Sequence, residues 1–233
     1  MFIGHYTASF IAKGLEPRAS LGLLFVAAQL LDLIFFPLVL LNGESLTMVV
    51  NATASTHFEL PYMPFSHSIW AAVLWSGLAL IVSLKILHLS KTVSLLLGLV
   101  VLSHWGADFL VHTPDLAVWK IFSDDSLKWG LGLWNNAVLA YLLECGFLTI
   151  AVVFYLRRTH ASSPKGRYLM AFYLVGLVLL QAFITFGGHI ELNKVAYAWQ
   201  AIASFIVLAI ISAGLDRYRK GGARPSYSNS SHD

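Results

Sequence analysis

The chain has 233 residues, of which 58% are apolar and 12% are charged, and its mean hydropathy is +0.72. Soluble domains contain roughly one-quarter charged residues, so this composition excludes an ordinary soluble protein and predicts an integral membrane protein. The net charge of +3 comes mostly from Lys and Arg in predicted loops and in the tail, where they report membrane orientation, so we predict no nucleic-acid partner. The single cysteine, Cys145, excludes a disulfide bond within these residues.

Hydropathy predicts six membrane-spanning helices. A helix needs ~20 apolar residues to cross the hydrocarbon layer of a bilayer, and the predicted spans are residues 20–41, 66–87, 92–113, 130–156, 168–187 and 195–214. We therefore predict an all-α fold, a polytopic membrane helical bundle that forms one domain over residues 1–215. The basic tail at 216–233 is rich in Ser and Asn, and we expect it to be disordered.

The segment before the first span, residues 2–14, is apolar but too short to cross a membrane at ~1.5 Å per helical residue. We predict that it forms a re-entrant or interfacial helix. It lacks a basic stretch followed by an uninterrupted apolar core and a cleavage site of small residues. We therefore expect no removable signal peptide.

Basic residues are distributed unevenly between the connections. They cluster at residues 13–18, 85–91, 157–167 and 217–224. The six predicted spans put all of these clusters on one face of the membrane, and the other connections, including a predicted polar loop at 42–65, on the opposite face. Because basic loops stay in the cytosol, we predict that both termini are cytosolic.

The third predicted span carries three ionisable residues at every fourth position. His104, Asp108 and His112 therefore lie along one face of a helix with ~3.6 residues per turn. Pro114 is expected to end that helix, because its ring clashes with the preceding turn and it has no N–H group to donate. This pattern is typical of half a metal site at a helix end.

Five ionisable residues from four predicted spans fall in one layer, ~20–27 Å from the cytosolic basic residues if each helical residue rises ~1.5 Å. They are Asp32, His67, His104, Asp108 and Glu144. His5 joins this layer only if the N-terminal helix folds back into the bundle. His112 and Asp115 would close the layer from the outer face.

Ionisable residues inside a membrane are energetically costly. An ionisable group in hydrocarbon costs ~2.5–3.5 kcal/mol on insertion scales, so these residues should face the bundle interior and bind one another or a ligand. Imidazole and carboxylate groups suit divalent metals, and we predict one or two ions, zinc first and manganese or magnesium as alternatives. The predicted ligands are His5, Asp32, His67, His104, Asp108 and His112. Asp115 or Glu144 is predicted to act as general base or to orient a metal-binding imidazole.

Four elements in the first half of the chain also resemble a known family. They are Gly4-His5, Gln29-Leu30-Leu31-Asp32, Pro64-Phe65-Ser66-His67-Ser68 and Ser103-His104-x-x-x-Asp108. This ordered set, within residues 1–115, resembles the YdjM-like, LexA-binding-type inner-membrane family of metal-dependent hydrolases. Its order is also similar to that of the zinc-dependent phospholipase C and single-strand nuclease superfamily, which cleaves phosphodiesters.

The resemblance implies a bacterial inner-membrane location and hydrolytic chemistry. The chain departs from the YdjM-like pattern after Asp32, where Leu33 and Ile34 replace a second acidic or His residue, and before the His67 element, where Pro-Phe-Ser replaces His-Arg-Gly. The number of metal ions therefore stays open.

We predict that this protein is a membrane hydrolase that uses a metal-activated water to cleave a phosphoester or other ester of an amphiphilic substrate. One alternative is a metal-ion or proton-coupled transporter that uses the same layer as a transit site. The predicted cytosolic halves of the second, third and fifth spans are almost wholly apolar, which argues against transit. Another alternative is a structural membrane protein in which the His and Asp residues pair with one another. The sequence leaves the oligomeric state open.

Three other polar residues have simpler interpretations. Asn135 and Asn136 precede the fourth span and are interpreted as a helix cap, with substrate contact as the alternative. Gln181 is interpreted as the donor or acceptor of a hydrogen bond between two helices.

Overall fold

The computed structural model describes residues 1–118, 127–188 and 193–222. Its α-helices, numbered in chain order, are α1 Tyr6–Leu15, α2 Leu21–Ala28, α3 Leu30–Leu40, α4 Pro64–His67, α5 Ile69–Lys85, α6 Lys91–Val111, α7 Ala137–Arg158, α8 Pro164–Phe186 and α9 Lys194–Asp216. Its short strands are β1 Ser45–Met48, β2 Phe58–Tyr62, β3 Leu116–Ala117, β4 Lys128–Trp129, β5 Thr159–Ala161 and β6 Arg219–Gly221.

Four helices, α6 to α9, are long and apolar enough to cross a membrane, and the chain is therefore a membrane protein of mainly helical fold. The predicted first span is broken into α2 and α3, whose axes differ by 51°. The predicted second span is α5, which has only 17 residues. Within the described part of the chain the structure thus supports four spans, or five if the bent pair crosses as one, where the sequence predicted six.

The start of α7 confirms one of the polar interpretations. The side chain of Asn136 accepts a hydrogen bond from the backbone N–H of Leu139 at 3.0 Å, so Asn136 is the N-cap of the helix. The predicted span began at residue 130, but residues before Asn136 form a turn in which Gly132 has φ +71°. Glycine adopts this left-handed conformation without the steric cost that a side chain adds.

The N-terminal helix α1 folds back into the bundle and packs on α2, α6 and α7. Tyr6 and Phe10 on this helix are fully buried. The ring of Tyr6 stacks on Phe25 of α2 at 4.0 Å between centroids, and the ring of Phe10 lies 5.3 Å from that of Tyr155 on α7. This aromatic packing places His5, just before α1, in the interior.

The predicted loop 42–65 contains an antiparallel hairpin, in which β1 pairs with β2. Strand β3 pairs with β4 within the connection between α6 and α7, and β5, directly after α7, pairs with β6, after α9. Strand β6 lies inside the tail that was expected to be disordered, so Arg219–Gly221 are ordered by pairing with β5. The rest of that expectation, residues 223–233, lies outside the described residues.

The α1 and α9 helices are joined by a buried lysine. Lys13 Nζ lies 2.6 Å from Asp216 Oδ1 and donates to the carbonyl oxygens of Pro17 and Ala19 at 2.7 Å each. Replacing Lys13 with Met is expected to destabilise the protein by ~3 kcal/mol, because a half-buried carboxylate and two carbonyl groups then lose their partner. The measurement is the thermal unfolding midpoint in detergent.

Lys85→Met is the matched control, because Lys85 ends α5 with an exposed side chain. Its unfolding midpoint should stay close to that of the wild type. Equal midpoints for Lys13→Met and Lys85→Met would contradict a structural role for the Lys13–Asp216 pair.

Candidate metal site

The structure brings all the predicted metal ligands to one place inside the bundle. They are His5, before α1; Asp32, on α3; His67, at the end of α4; His104 and Asp108, on α6; and His112, directly after α6. Their side chains are nearly inaccessible to solvent, except that Asp32 remains 17% exposed. The every-fourth-residue pattern on α6 therefore faces the interior, as predicted.

Asp108 lies at the centre of this cluster. Its Oδ2 is 3.0 Å from His104 Nε2 and 3.6 Å from His67 Nε2, and its Oδ1 is 3.2 Å from His5 Nε2 and 3.6 Å from His112 Nε2. The N-terminal ammonium group of Met1 also forms an ion pair with Asp108, and its nitrogen donates to Oδ1 at 2.6 Å. The two oxygens thus face different pairs of imidazoles, as in a carboxylate that bridges two positions.

Asp32 contributes a second carboxylate to the same group. Its Oδ1 lies 3.4 Å from His67 Nε2, and its Oδ2 lies 3.9 Å from His104 Nε2. Two three-residue sets have ligand atoms within 4.8 Å of one another: one is His5, His104 and Asp108, and the other is Asp32, His67 and His104. A buried His/Asp group of this kind could hold a metal ion.

The distances fit that role. Ligand atoms that each lie ~2.1 Å from one ion are ~3.0–3.4 Å from one another in octahedral or tetrahedral coordination. The His104–Asp108, His5–Asp108 and His67–Asp32 separations of 3.0, 3.2 and 3.4 Å fall in that range. Nε2 of both His5 and His104 is buried and forms no hydrogen bond with the described residues, although each is close to a carboxylate.

The orientation of His104 follows from the break between α2 and α3. Because α2 ends at Ala28, the carbonyl group of Ala28 is one of the last in its helix, and such groups lack a helical partner. His104 Nδ1 lies 2.7 Å from that carbonyl oxygen. A carbonyl oxygen only accepts, so Nδ1 carries the proton and Nε2 of the neutral ring has a lone pair directed at the cluster.

The orientation of His67 comes from its own short helix. Pro64 begins a single turn, and Ser68 ends it by donating to the Pro64 carbonyl oxygen at 2.7 Å while capping α5. Within this turn, the hydroxyl group of Ser66 lies 2.7 Å from His67 Nδ1. The Pro-Phe-Ser-His-Ser element therefore fixes both the position of the ring and the partner of its outer nitrogen.

Glu44, at the start of the β-hairpin, accepts a hydrogen bond from the Ser66 hydroxyl group. Its Oε2 accepts from Ser66 Oγ at 2.6 Å, and its Oε1 accepts from the backbone N–H groups of Phe65 and Ser66 at 2.7 and 2.9 Å. Because Ser66 donates its only proton to Glu44, it must accept from His67 Nδ1. Burial raises the pKa of the Glu44 carboxyl group, and these hydrogen bonds act in the opposite direction.

Sequence reasoning missed Glu44, since an acidic residue in a polar loop usually faces solvent. The only sequence signal was its position: the hairpin between residues 45 and 62 returns the chain, so Glu44 meets the turn that starts at Pro64. Glu44, Ser66 and His67 together form a carboxylate–hydroxyl–imidazole chain.

The third oriented ring is His112. Its Nδ1 lies 2.9 Å from Asp115 Oδ1. The second carboxylate oxygen of Asp115, Oδ2, accepts a hydrogen bond from Thr113 Oγ1 at 3.1 Å. Asp115 therefore lies where a residue that orients a metal-binding imidazole was predicted. The ring of Trp134 covers His112 at 4.2 Å between centroids.

A glycine explains how the segment that carries Trp134 approaches so closely. A side-chain carbon on Gly130 would lie 2.3 Å from the Thr113 carbonyl oxygen and 2.5 Å from that of His112. The Gly132 N–H donates to the His112 carbonyl oxygen at 2.6 Å. The Gly-Leu-Gly-Leu-Trp sequence thus binds the end of α6 through its backbone.

These contacts have a common electrostatic consequence. In His67, His104 and His112 the Nδ1 proton is committed to an oxygen acceptor, so the Nε2 lone pair of each neutral ring faces a carboxylate oxygen at 3.0–3.6 Å. A lone pair beside a carboxylate oxygen is repulsive unless a proton or a metal cation lies between them. The arrangement fits a bound divalent cation.

Glu144, the other predicted acid–base residue, has different partners. Its Oε2 accepts from the backbone N–H groups of Phe2 and Gly4 at 2.9 and 3.0 Å, and its Oε1 accepts from Gln181 at 3.4 Å. The last contact joins α7 to α8 and confirms the interhelical hydrogen bond predicted for Gln181. Glu144 thus holds the segment that carries His5, and its role as a general base stays a prediction.

A cavity of about 290 Å³ opens beside the cluster. Asp32, His67, Asp108 and His112 are among its lining residues. Most of the remaining wall is apolar and comes from α3, the β-hairpin, α8 and α9. A small molecule in this cavity would contact the site directly.

No protein-family model, curated protein or solved structure matches this chain. The resemblance to the YdjM-like family therefore stays a prediction that depends on the four elements named above.

Proposed function

We propose that this protein is an integral membrane metal-dependent hydrolase that cleaves a phosphoester or other ester of an amphiphilic molecule. The observation that carries the proposal is the set of His67, His104 and His112, whose Nδ1 protons are held by oxygen atoms while their Nε2 atoms converge on Asp108. Oriented imidazoles with an outer oxygen partner are typical of metal ligands.

In this proposal the six predicted ligands hold one or two divalent ions, with zinc preferred for the imidazole-rich set. A bound divalent ion supplies Lewis acidity, which lowers the pKa of water and polarises an ester oxygen. Asp108 keeps the two halves of the cluster together, because each of its oxygens faces a different pair of rings. Asp32 lies at the partly accessible edge, where substrate and solvent enter from the cavity.

Of the two predicted acid–base residues, Asp115 suits the proposal better. It accepts from His112 Nδ1, and His112 lines the cavity. The pair can therefore hold a proton next to the reacting group and fix the tautomer of the ring. Glu144 is occupied by two backbone N–H groups and Gln181.

Transport through the bundle is the competing function, and the packing below the site supports hydrolysis over it. On the side of the cluster towards Lys13, the interior is filled by fully buried rings, including Tyr6, Phe10, Phe25 and Tyr155. Phe10 and Phe25 meet edge to face at 5.6 Å between centroids. A transit route would need an open path through this region, and the closely packed rings obstruct one.

We also propose an inner-membrane location with both termini in the cytosol. Three of the basic clusters meet at one end of the bundle. Lys13 contacts Asp216, and Arg219 donates a hydrogen bond to the Thr159 carbonyl oxygen. The Gly222 N–H donates to the Arg158 carbonyl oxygen. Because basic residues favour the cytosolic face, that end would face the cytosol and the metal site would lie in the outer half of the membrane.

The test of function is metal content and hydrolysis by detergent-purified protein. Elemental mass spectrometry of the wild type should find stoichiometric divalent metal, and the His104→Ala/Asp108→Ala variant should contain none. Hydrolysis of bis(p-nitrophenyl) phosphate and p-nitrophenyl esters should follow the metal and stop on chelation, because the ion supplies the Lewis acid.

His88→Asn is the control. His88 lies in an exposed turn with φ +52°, a conformation that Asn tolerates. The variant therefore removes an imidazole group that is not part of the site. It should match the wild type in metal content and activity. Metal-free wild-type protein that stays metal-free after incubation with zinc, manganese or magnesium would contradict the proposal.

A further inference from the structure

We propose that the cavity beside the His/Asp cluster binds the hydrocarbon chain of an amphiphilic substrate, which enters from the bilayer between α8 and α9. The inference rests on the proposed hydrolase only for what happens to the polar end of that molecule. Binding of the chain itself depends on the cavity walls.

The cavity lining combines polar and apolar side chains. Asp32, His67, Asp108 and His112 supply carboxylate and imidazole groups, and the polar residues Glu144, Gln181 and Gln200 also line the cavity. Most other lining residues are apolar, and the large ones include Phe35, Phe36, Leu46, Phe58, Leu60 and Phe205. Such a lining matches a molecule with one polar end and one hydrocarbon chain, since each part finds side chains of its own polarity.

Hydrogen bonds join the α8 and α9 helices at one end. Near the end with Asp216, Tyr173 of α8 hydrogen-bonds with Ser212 of α9 at 2.7 Å and donates to the Leu208 carbonyl oxygen at 3.3 Å. Towards the other end, both helices supply residues to the cavity wall, including Leu180 and Ala201. The cavity therefore lies between the helices there.

That part of the cavity faces the lipid side. Phe183 and Ile184 line the cavity and yet are 57% and 44% exposed. Both α8 and α9 are long and apolar enough to span a membrane. In a bilayer this surface contacts acyl chains, so a lipid chain can move from the bilayer into the cavity without crossing water.

The site therefore fits a lipid-like ester better than a water-soluble one. A soluble ester would have to leave water for an apolar cavity, whereas a hydrocarbon chain passes between two apolar environments. With its chain between α8 and α9, an amphiphile presents its polar end to Asp32, His67 and Asp108. This arrangement selects substrates by their chain as well as by the bond to be cleaved.

The test is photolabelling with a lysophosphatidylcholine that carries a diazirine near the end of its acyl chain. In the wild type, mass spectrometry should find labels on cavity-lining residues of α8, α9 and α3. Ala201→Trp fills the cavity from α9 and should abolish these labels. Ala203→Trp is the matched control, because Ala203 is exposed and does not line the cavity, and its labels should be those of the wild type.

Ser204→Leu adds less volume at the same wall and repeats the test if Ala201→Trp does not fold. Labels confined to outward-facing residues in the wild type, or unchanged cavity labels in a folded Ala201→Trp or Ser204→Leu variant, would overturn the inference. Each sample is labelled with and without chelator, and the pattern should not change. Cavity labelling in a protein that binds no metal would reject the proposed hydrolase and support the lipid site. Bound metal without cavity labelling would support the proposed hydrolase and reject the lipid site.

Discussion

Chelation of the purified protein is expected to lower its thermal unfolding midpoint by roughly 10 °C. A ligand present at 1,000 times its dissociation constant stabilises the folded state by ~4 kcal/mol, and each kcal/mol shifts the midpoint of a chain of this size by ~2–4 °C. The structural reason is that Asp32 and Asp108 lie in one buried cluster whose imidazole lone pairs face them. Removing the cation leaves these lone pairs beside carboxylate oxygens in an apolar interior.

The comparison needs two variants. In His104→Ala/Asp108→Ala the midpoint should not respond to chelator, because the variant has lost both residues that face each other at 3.0 Å. His88→Asn should respond like the wild type. If the wild-type midpoint were the same with and without chelator, the cluster would be a set of His–Asp pairs with a structural role.

The ligand set was predictable because the membrane penalises isolated ionisable groups. His104 and Asp108 lie in apolar runs that must be buried, and burial forces such groups to find one another. His5 was the difficult member, since its segment is too short to span. The structure brings it in through the packing of Tyr6 and Phe10 against α2 and α7, which depends on contacts between distant parts of the chain.

The elements that orient the ligands could not be predicted from local patterns. The break at Gln29 occurs without a proline or glycine at that position, in a run of apolar residues that continues on both sides. It nevertheless supplies the Ala28 carbonyl group that orients His104. Glu44 and Ser66 are 22 residues apart, and only the hairpin between them makes them neighbours. Hydropathy records which residues avoid lipid, and these features depend on chain reversal and hydrogen bonding.

Replacing Glu44 with Gln is expected to weaken metal binding ~10–100-fold, the usual effect of removing an outer partner of a metal-binding imidazole. In the wild type, Ser66 donates to Glu44 Oε2 and accepts from His67 Nδ1. A Gln side chain can place its NH₂ group at that position and donate to Ser66. Ser66 would then donate to His67 Nδ1, and the ring proton would move to Nε2, the atom that must bind the metal.

The measurement is a competition titration with a fluorescent chelator, and Glu59→Gln is the matched control. Glu59 lies on β2 of the same hairpin and is exposed, so its amide variant should bind metal as the wild type does. Ser66→Ala should reproduce the loss, because the Nδ1 proton then has no acceptor.

A purely structural role for Glu44 would give a different pattern. Glu44→Gln would then lower the unfolding midpoint of the metal-free protein, and the metal affinity of the folded fraction would match that of Glu59→Gln. If Glu44 acts through His67, the losses in the Glu44→Gln/His67→Ala double variant should be no larger than in His67→Ala alone, since residues in one hydrogen-bonded chain are not additive. Additive losses would show that Glu44 and His67 act independently.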